Sequence, residues 1–206
     1  MARYSNPEVL VETNWVKDNL GKPGIKLIEI DVDTKAYDAG HIPGAVGFNW
    51  QTQLQDQVRR DIISKDAFEK LVGGAGVSPS DSVILYGDNN NWFAAYGFWL
   101  FKIYGHKDVR LMNGGRVKWL NENDKPMTTD VPSVTPSSYK ASAPNLDLRA
   151  MLPQVFEAQK GNWNLGAETR SDRPLGGQAV RALRGPPDRR SGGAVPRRPD
   201  PCPAQL

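Results

Sequence analysis

Three apolar runs limit what this chain can fold into: "IKLIEIDVD" (25–33), "DSVILYGD" (81–88) and "DVRLMNGG" (108–115). Each is apolar on consecutive positions rather than on alternate ones, the pattern of a strand covered on both faces. Helical periods lie between them. "SKDAFEKLVGGAGVS" (64–78) is amphipathic, with Ser64 placed to cap it, Asp66 in its first turn and Gly73 as its stop. "NWFAAYGFWLFKIYGH" (91–106) is apolar on most sides, predicts a helix over 92–104 packed against the sheet, and stops at Gly105. "GRVKWLNEND" predicts a short helix after the third run. Strands alternating with helices give the α/β class, with a mostly parallel central sheet flanked by helices.

Upstream, "EVLVETNWVKDNL" reads as a short strand and a helix capped at Thr13 or Asn14. "YDAGHIPGAVGFNW" (37–50) reads as a loop whose turns are set by Gly and Pro. Residues 124–145 hold four prolines among many Ser and Thr, the composition of a linker or an edge excursion. "LRAMLPQVFEAQKGNWNL" then restarts a helix, and "NWNL" a strand, within a 146–170 segment that opens a second domain. It does not continue. Residues 171–206 contain no aromatic residue and no Lys, and Arg, Pro, Gly and Ala make up 23 of the 36. Such a segment cannot bury enough apolar surface to offset its ordering entropy, which predicts disorder. It is either a natural tail or the product of a shifted reading frame.

The charge follows the same division. The net +3 comes from the tail, where seven Arg face three Asp, while residues 1–170 balance to −1. No nucleic-acid partner is expected for the folded part. No apolar run approaches the ~20 residues that span a bilayer, so no membrane partner is expected and the cytoplasm is the default compartment. Cys202 is the one cysteine, which excludes an internal disulfide and a four-cysteine zinc site, and His41 and His106 are the two histidines.

The second strand runs into a tight polar turn and then a helix: Gly87, Asp88, Asn89, Asn90, Asn91, Trp92. A turn in that place ordinarily holds a nucleophile or cradles an anion on successive amides. This one has no thiol, hydroxyl or imidazole. Its asparagines tolerate left-handed backbone, which favours a structural or interface role. Asp31 and Asp33 sit at a strand's C-terminal edge, where α/β ligands bind, and equally suit capping of the loop. Trp92, Phe93, Phe98, Trp99 and Phe101 follow helical spacing and are expected in the core.

Two long stretches carry a resemblance. "IEIDVDTKAYDAGHIPGAVGFNW" resembles the first signature of the rhodanese (thiosulfate sulfurtransferase) family: strand, Asp31, then the turn with His41, Pro43 and Gly44. "VILYGDNNNWFAAYGFWLFKIYGHKDVRLMNGGRVKW" resembles the family's strand, active loop, helix, strand and glycine turn in order. The match covers roughly residues 8–145 and looks like the N-terminal half of two-domain, actinobacterial-type sulfurtransferases. "NLGAETRSD" resembles the opening of the second domain, with Arg170 in the place of a family arginine. The resemblance implies sulfur transfer from thiosulfate through a cysteine persulfide in intact relatives, with no metal or organic cofactor. It also implies that the N-terminal domain lacks the catalytic cysteine: the position after the strand's aromatic residue, here after Tyr86, is Gly87. Cys202, in "DPCPAQL", follows no strand and does not match. His41 is expected to order the turn.

Three functional readings follow. The first is a sulfurtransferase-family protein that is inactive as this chain. The second is a non-catalytic rhodanese-like binding module, able to self-associate through the face its missing half would cover. The third is a magnesium-dependent phosphohydrolase built on Asp31 and Asp33 as an Asp-x-Asp pair. The third is weakest in the residues, because no strand-end Ser or Thr follows at "VILYGD".

Overall fold

The computed structural model describes residues 6–158. A 3₁₀ turn (Pro7–Val9) leads into β1 (Leu10–Val11) and α1 (Thr13–Asp18). Then come β2 (Ile25–Asp31), α2 (Lys35–Ala39), β3 (Val46–Asn49), α3 (Trp50–Gln53) and α4 (Lys65–Gly74). β4 (Ser82–Tyr86), α5 (Asp88–Ile103), β5 (Val109–Met112) and α6 (Gly115–Asn121) follow. The five strands form one parallel sheet in the order β1-β5-β4-β2-β3. Among the described residues, no helix is long and apolar enough to cross a membrane.

Strand pleating sends alternate side chains to opposite faces, and each face has its own core. Ile28, Ile30, Val83 and Leu85 pack with Phe68 and Val72 of α4 and with Ala94, Leu100, Phe101 and Ile103 of α5. Leu27, Ile84 and Tyr86 pack on the other face with Val16 of α1, Trp119 of α6, Ile42 and Met112. Continuous apolar runs are thus what a sheet between two helical layers requires.

Several boundaries differ from those predicted. The cap of α1 is Glu12, with no side-chain cap bond, and Thr13 and Asn14 lie inside the helix. Ser64 does cap α4, accepting the Ala67 N–H at 3.2 Å. α4 does not stop at Gly73 but runs through Gly74 to Ala75. The stretch 37–50 is not all loop: it contains the end of α2 and all of β3, which pairs with β2 from Ile28↔Val46 to Asp31↔Asn49. Trp92 is not core; it is 74% exposed.

The proline-rich stretch is not a free linker. It lies along the domain as a strap. His41 and Thr128 exchange both backbone hydrogen bonds, and Ser137 N–H donates to Gly73 O at 2.9 Å. Tyr139 is buried, with its hydroxyl 2.8 Å from His106 Nδ1, and His106 Nε2 donates to Asp81 O at 3.0 Å. Trp99 Nε1–H reaches Leu148 O at 2.8 Å, and the compact unit runs through Arg149. A second unit starts at Ala150. Its described part holds α7 (Leu152–Glu157), at whose start Gln154 Oε1 accepts the Met151 N–H at 2.7 Å. The expected "NWNL" strand, Arg170, the 171–206 tail and Cys202 lie outside the described residues.

The strap explains Gly73. A Cβ there would lie 2.7 Å from Ser137 O. Gly→Ala inside a helix ordinarily gains about 1 kcal/mol, whereas forcing a methyl into a filled site costs about 1–3 kcal/mol. Gly73→Ala is therefore expected to lower the melting temperature, despite the better helix former. A rise on thermal denaturation would show that the strap does not bear on α4.

Candidate active loop at the sheet's C-terminal edge

Parallel strands bring Asp31 at the end of β2 beside Gly87 and Asp88 after β4. Asp88 N–H donates to Asp31 Oδ1 at 2.8 Å, and Gly87 N–H donates to Asn91 Oδ1 at 3.1 Å. Asn91 Nδ2 donates in turn to Met112 O at 2.7 Å, so one amide side chain ties the loop to the ends of β4 and β5. Asn89, Asn90 and Asn91 all have left-handed backbone, at φ 45°, 55° and 65°. The right-handed part of α5 therefore starts at Trp92. Three consecutive left-handed residues suit asparagine better than most side chains, and they are held by these side-chain bonds.

The cradle expected over 87–92 is thus closed from within at its start. Its first two amides already donate to protein oxygens. An anion approaching these two donors would have to displace a carboxylate oxygen and an amide oxygen.

Gly87 is extended, at φ −177° and ψ −178°, a conformation open to any residue. What restricts the position is contact. A Cβ there would lie 2.2 Å from Ile30 O and 2.9 Å from Asp31 Oδ1. The nucleophile position of the resemblance thus has no room for a side chain.

Beneath the loop lies a buried polar network. Glu29 is fully buried, and Arg116 Nη1 donates to its Oε1 at 2.5 Å. Arg116 Nη2 donates to Ala36 O at 2.9 Å and to Gly40 O, while Arg116 N–H donates to Gly87 O at 3.0 Å. One arginine joins α6, β2, α2 and the loop. Tyr86 hydroxyl accepts Ile42 N–H at 3.1 Å, which anchors the 40–45 segment to β4. Asp31 is 2% exposed. Burial pushes its carboxyl up to about 8; the Asp88 amide opposes this, and the Glu29 and Asp88 carboxylates add to it.

The other motif residues are placed elsewhere. His41 is buried, stacked on Tyr37 with ring centroids 3.8 Å apart. Its Nδ1 lies 2.9 Å from Tyr37 O and its Nε2 3.1 Å from Asp130 O, so it holds the turn and the strap. Pro43 and Gly44 line a cavity with the start of β2, at the N-terminal edge of the sheet. Asp33 accepts Lys35 N–H at 3.0 Å and caps the β2–α2 turn. Gly114 and Gly115 both have positive φ, 84° and 56°, which makes "NGG" a turn. Arg116 and Glu29 escaped the sequence reading. The available signal was a single glutamate inside the apolar run "IKLIEID", since a charge there needs a buried partner.

The profile of the rhodanese-like domain matches residues 12–122. The chain belongs to the rhodanese-like family. It is 48% identical over 161 residues to a putative thiosulfate sulfurtransferase of Saccharopolyspora erythraea, covering 78% of this chain and 57% of that protein. It is 50% identical over 154 residues to the sulfur carrier protein TtuD of Thermus thermophilus, covering 75% and 54%. The 3-mercaptopyruvate sulfotransferase SseA of Escherichia coli superposes with a TM-score of 0.66 at 22% identity, covering 75% of this chain and 62% of that one. That likeness establishes the rhodanese fold. This rhodanese-like chain spans about half the length of the curated relatives it matches.

Proposed function

We propose that this chain is the N-terminal half of a two-domain sulfurtransferase of the cytoplasm, and that alone it transfers no sulfur. Its sequence kinship to thiosulfate sulfurtransferases supports thiosulfate as the donor of the complete protein. One observation carries the inactivity: position 87 has neither a thiol nor space for one. A persulfide needs a thiolate, whose stabilisation comes from free amides or a nearby cation. Here the first two loop amides are committed to Asp31 and Asn91. The loop then serves as a fixed wall of a pocket whose nucleophile is carried by the other half.

The purified 206-residue chain, given thiosulfate and cyanide, is expected to form thiocyanate no faster than the buffer does. Thiocyanate formation that disappears in Cys202→Ser would overturn the proposal.

The binding-module reading is favoured by one feature of the surface. Trp92, Val117 and Leu120 are 74%, 48% and 53% exposed on α5 and α6, the two elements that follow the loops at this edge. We infer that these residues belong to the face covered in the complete protein, and that this chain self-associates through it. Light scattering at micromolar concentration checks this, with Trp92→Ser expected to return the protein to a monomer; a wild type that is already a clean monomer would refute it. The phosphohydrolase reading gains nothing from the geometry, because Asp31 is buried and its Oδ1 is occupied by the Asp88 amide.

A further inference from the structure

The strap sets one titratable ring against another inside the core. His106 and Tyr139 are 3% and 4% exposed. His106 Nε2 lies 3.0 Å from Asp81 O, and Nδ1 lies 2.8 Å from the Tyr139 hydroxyl. A carbonyl oxygen carries no hydrogen, so Nε2 must hold the N–H. Nδ1 is then the lone pair that accepts the Tyr139 O–H. Burial pushes Tyr139 up to about 12, so its hydroxyl keeps its proton in neutral and acid solution. The pairing works only while the imidazole is neutral.

Proton uptake at Nδ1 puts a second N–H against that hydroxyl. The Tyr139 oxygen can turn to accept it, but its own O–H then has no acceptor: among the described residues the hydroxyl bonds to His106 alone. A buried donor without a partner and a buried charge are both costly. The charges around the ring are already engaged. Asp81, in the turn before β4, accepts Ser78 N–H at 2.8 Å. Asp108, before β5, holds Arg110 and Ser82. Glu69 of α4 holds Lys65, Lys140 and the Ala141 N–H. The Tyr104 hydroxyl of α5 donates to Ile63 O. Lys102 of α5 is a cation and repels the new charge.

We propose that the strap is an acid-opened latch: proton uptake by His106 expels Tyr139 and frees the strap over residues 134–142. Tyr139 is the aromatic plug of that stretch, packed edge-on to the buried Phe68 with ring centroids 5.9 Å apart. The stretch has few other ties. Ser137 N–H donates to Gly73 O and its hydroxyl to Val77 O, Ala141 N–H donates to Glu69, and Ser142 N–H donates to Tyr104 O. On either side, Thr128 is held by His41 and Leu148 by Trp99. Those two contacts do not involve His106, so the opening is confined between them. It uncovers the ring of Phe68.

Burial holds the closed His106 below its ordinary 6.5; the bond to Asp81 O opposes this, Lys102 adds to it, and the Asp108 and Asp81 carboxylates oppose it. The open strap therefore takes up a proton that the closed one refuses. The latch is fully closed above about 6.5 and weakens as pH falls below it. Glu69 does not share this window, because the Lys65 ammonium and the Ala141 amide hold its carboxyl down at about 2. His106→Gln offers an amide N–H to Asp81 O and an amide oxygen to the Tyr139 O–H. It keeps both bonds and removes the proton uptake.

Two measurements on the full chain test the latch. Nitrogen-15 NMR of the His106 ring is expected to show the neutral Nε2–H form at neutral pH; a neutral Nδ1–H form or an imidazolium there overturns the proposal. Protection of the Ala141 and Ser142 amides against exchange, corrected for intrinsic rates, is expected to fall about tenfold per pH unit below about 6.5, the slope of one proton. It is also expected to stay below that of the β4 amides, as a local opening requires. Protection that ignores pH, or that equals that of β4 throughout, overturns the proposal. His106→Gln is expected to abolish the slope, and a slope that survives in the folded variant overturns it too. The wild-type measurements need no variant, so a poorly folding His106→Gln leaves the test intact. Neither readout involves sulfur transfer, so the latch and the functional proposal fail separately.

Discussion

Arg116→Met is expected to cost the domain about 3–5 kcal/mol of folding stability, the range for removing one member of a buried ion pair. The loss would appear as a lower urea midpoint at unchanged slope. The magnitude follows from what is stranded. Glu29 is fully buried on β2, and Arg116 is the cation that faces it. Methionine fills a similar volume but leaves that carboxylate without its donor, and it also leaves Ala36 O and Gly40 O without theirs. The backbone bond from residue 116 to Gly87 O survives the change. Arg116→Lys should recover only part of the loss, because one ammonium cannot reproduce a planar fork that spans Glu29 and two carbonyls. In a double-mutant cycle, adding Glu29→Gln to Arg116→Met should cost less than the sum of the single changes. A loss under about 1 kcal/mol, the range of a surface pair, would mean that water reaches Glu29 and that the arginine is not the hub described above.

That arginine also shows where sequence reading stops. β2, β4 and β5 were legible because a strand between two helical layers must be apolar at consecutive positions. β3 was not, since "VGFN" has a single fully buried side chain, Phe48, and its strand character comes from pairing with β2. The strap stayed open between a linker and an edge excursion because its anchors are scattered backbone and side-chain bonds to distant residues, such as His41–Asp130 and Tyr139–His106, not a periodic pattern. At the loop, Gly87 and the asparagine run could be found locally, since left-handed backbone is a property of residue type. The Asp31–Asp88 and Glu29–Arg116 contacts join residues 57 and 87 positions apart. A single chain without its fold offers only the hint of a misplaced charge.

Gly87→Cys is expected to destabilise the chain and to confer no sulfur transfer. It places a thiol at the loop position where a catalytic rhodanese domain is expected to carry its cysteine, so a loop that lacked only the nucleophile would gain activity. Here the first atom of the new side chain already collides. Its Cβ would lie 2.2 Å from Ile30 O, and that oxygen belongs to the backbone of β2, which is paired on both sides with β3 and β4. Yielding at that point shifts the centre of the sheet, so the cost should reach or exceed the 1–3 kcal/mol of ordinary overpacking. A thiol forced in would still lack what lowers its pKa. The Gly87 and Asp88 amides are bonded to Asn91 and Asp31, and Asp31 and Asp88 are acids, which disfavour a thiolate nearby. Intact-mass measurement after thiosulfate treatment should show no added sulfur at residue 87, alongside a depressed melting temperature. Wild-type stability together with a persulfide would mean that β2 and the loop can separate cheaply, and that the closed loop is a resting arrangement of a competent site.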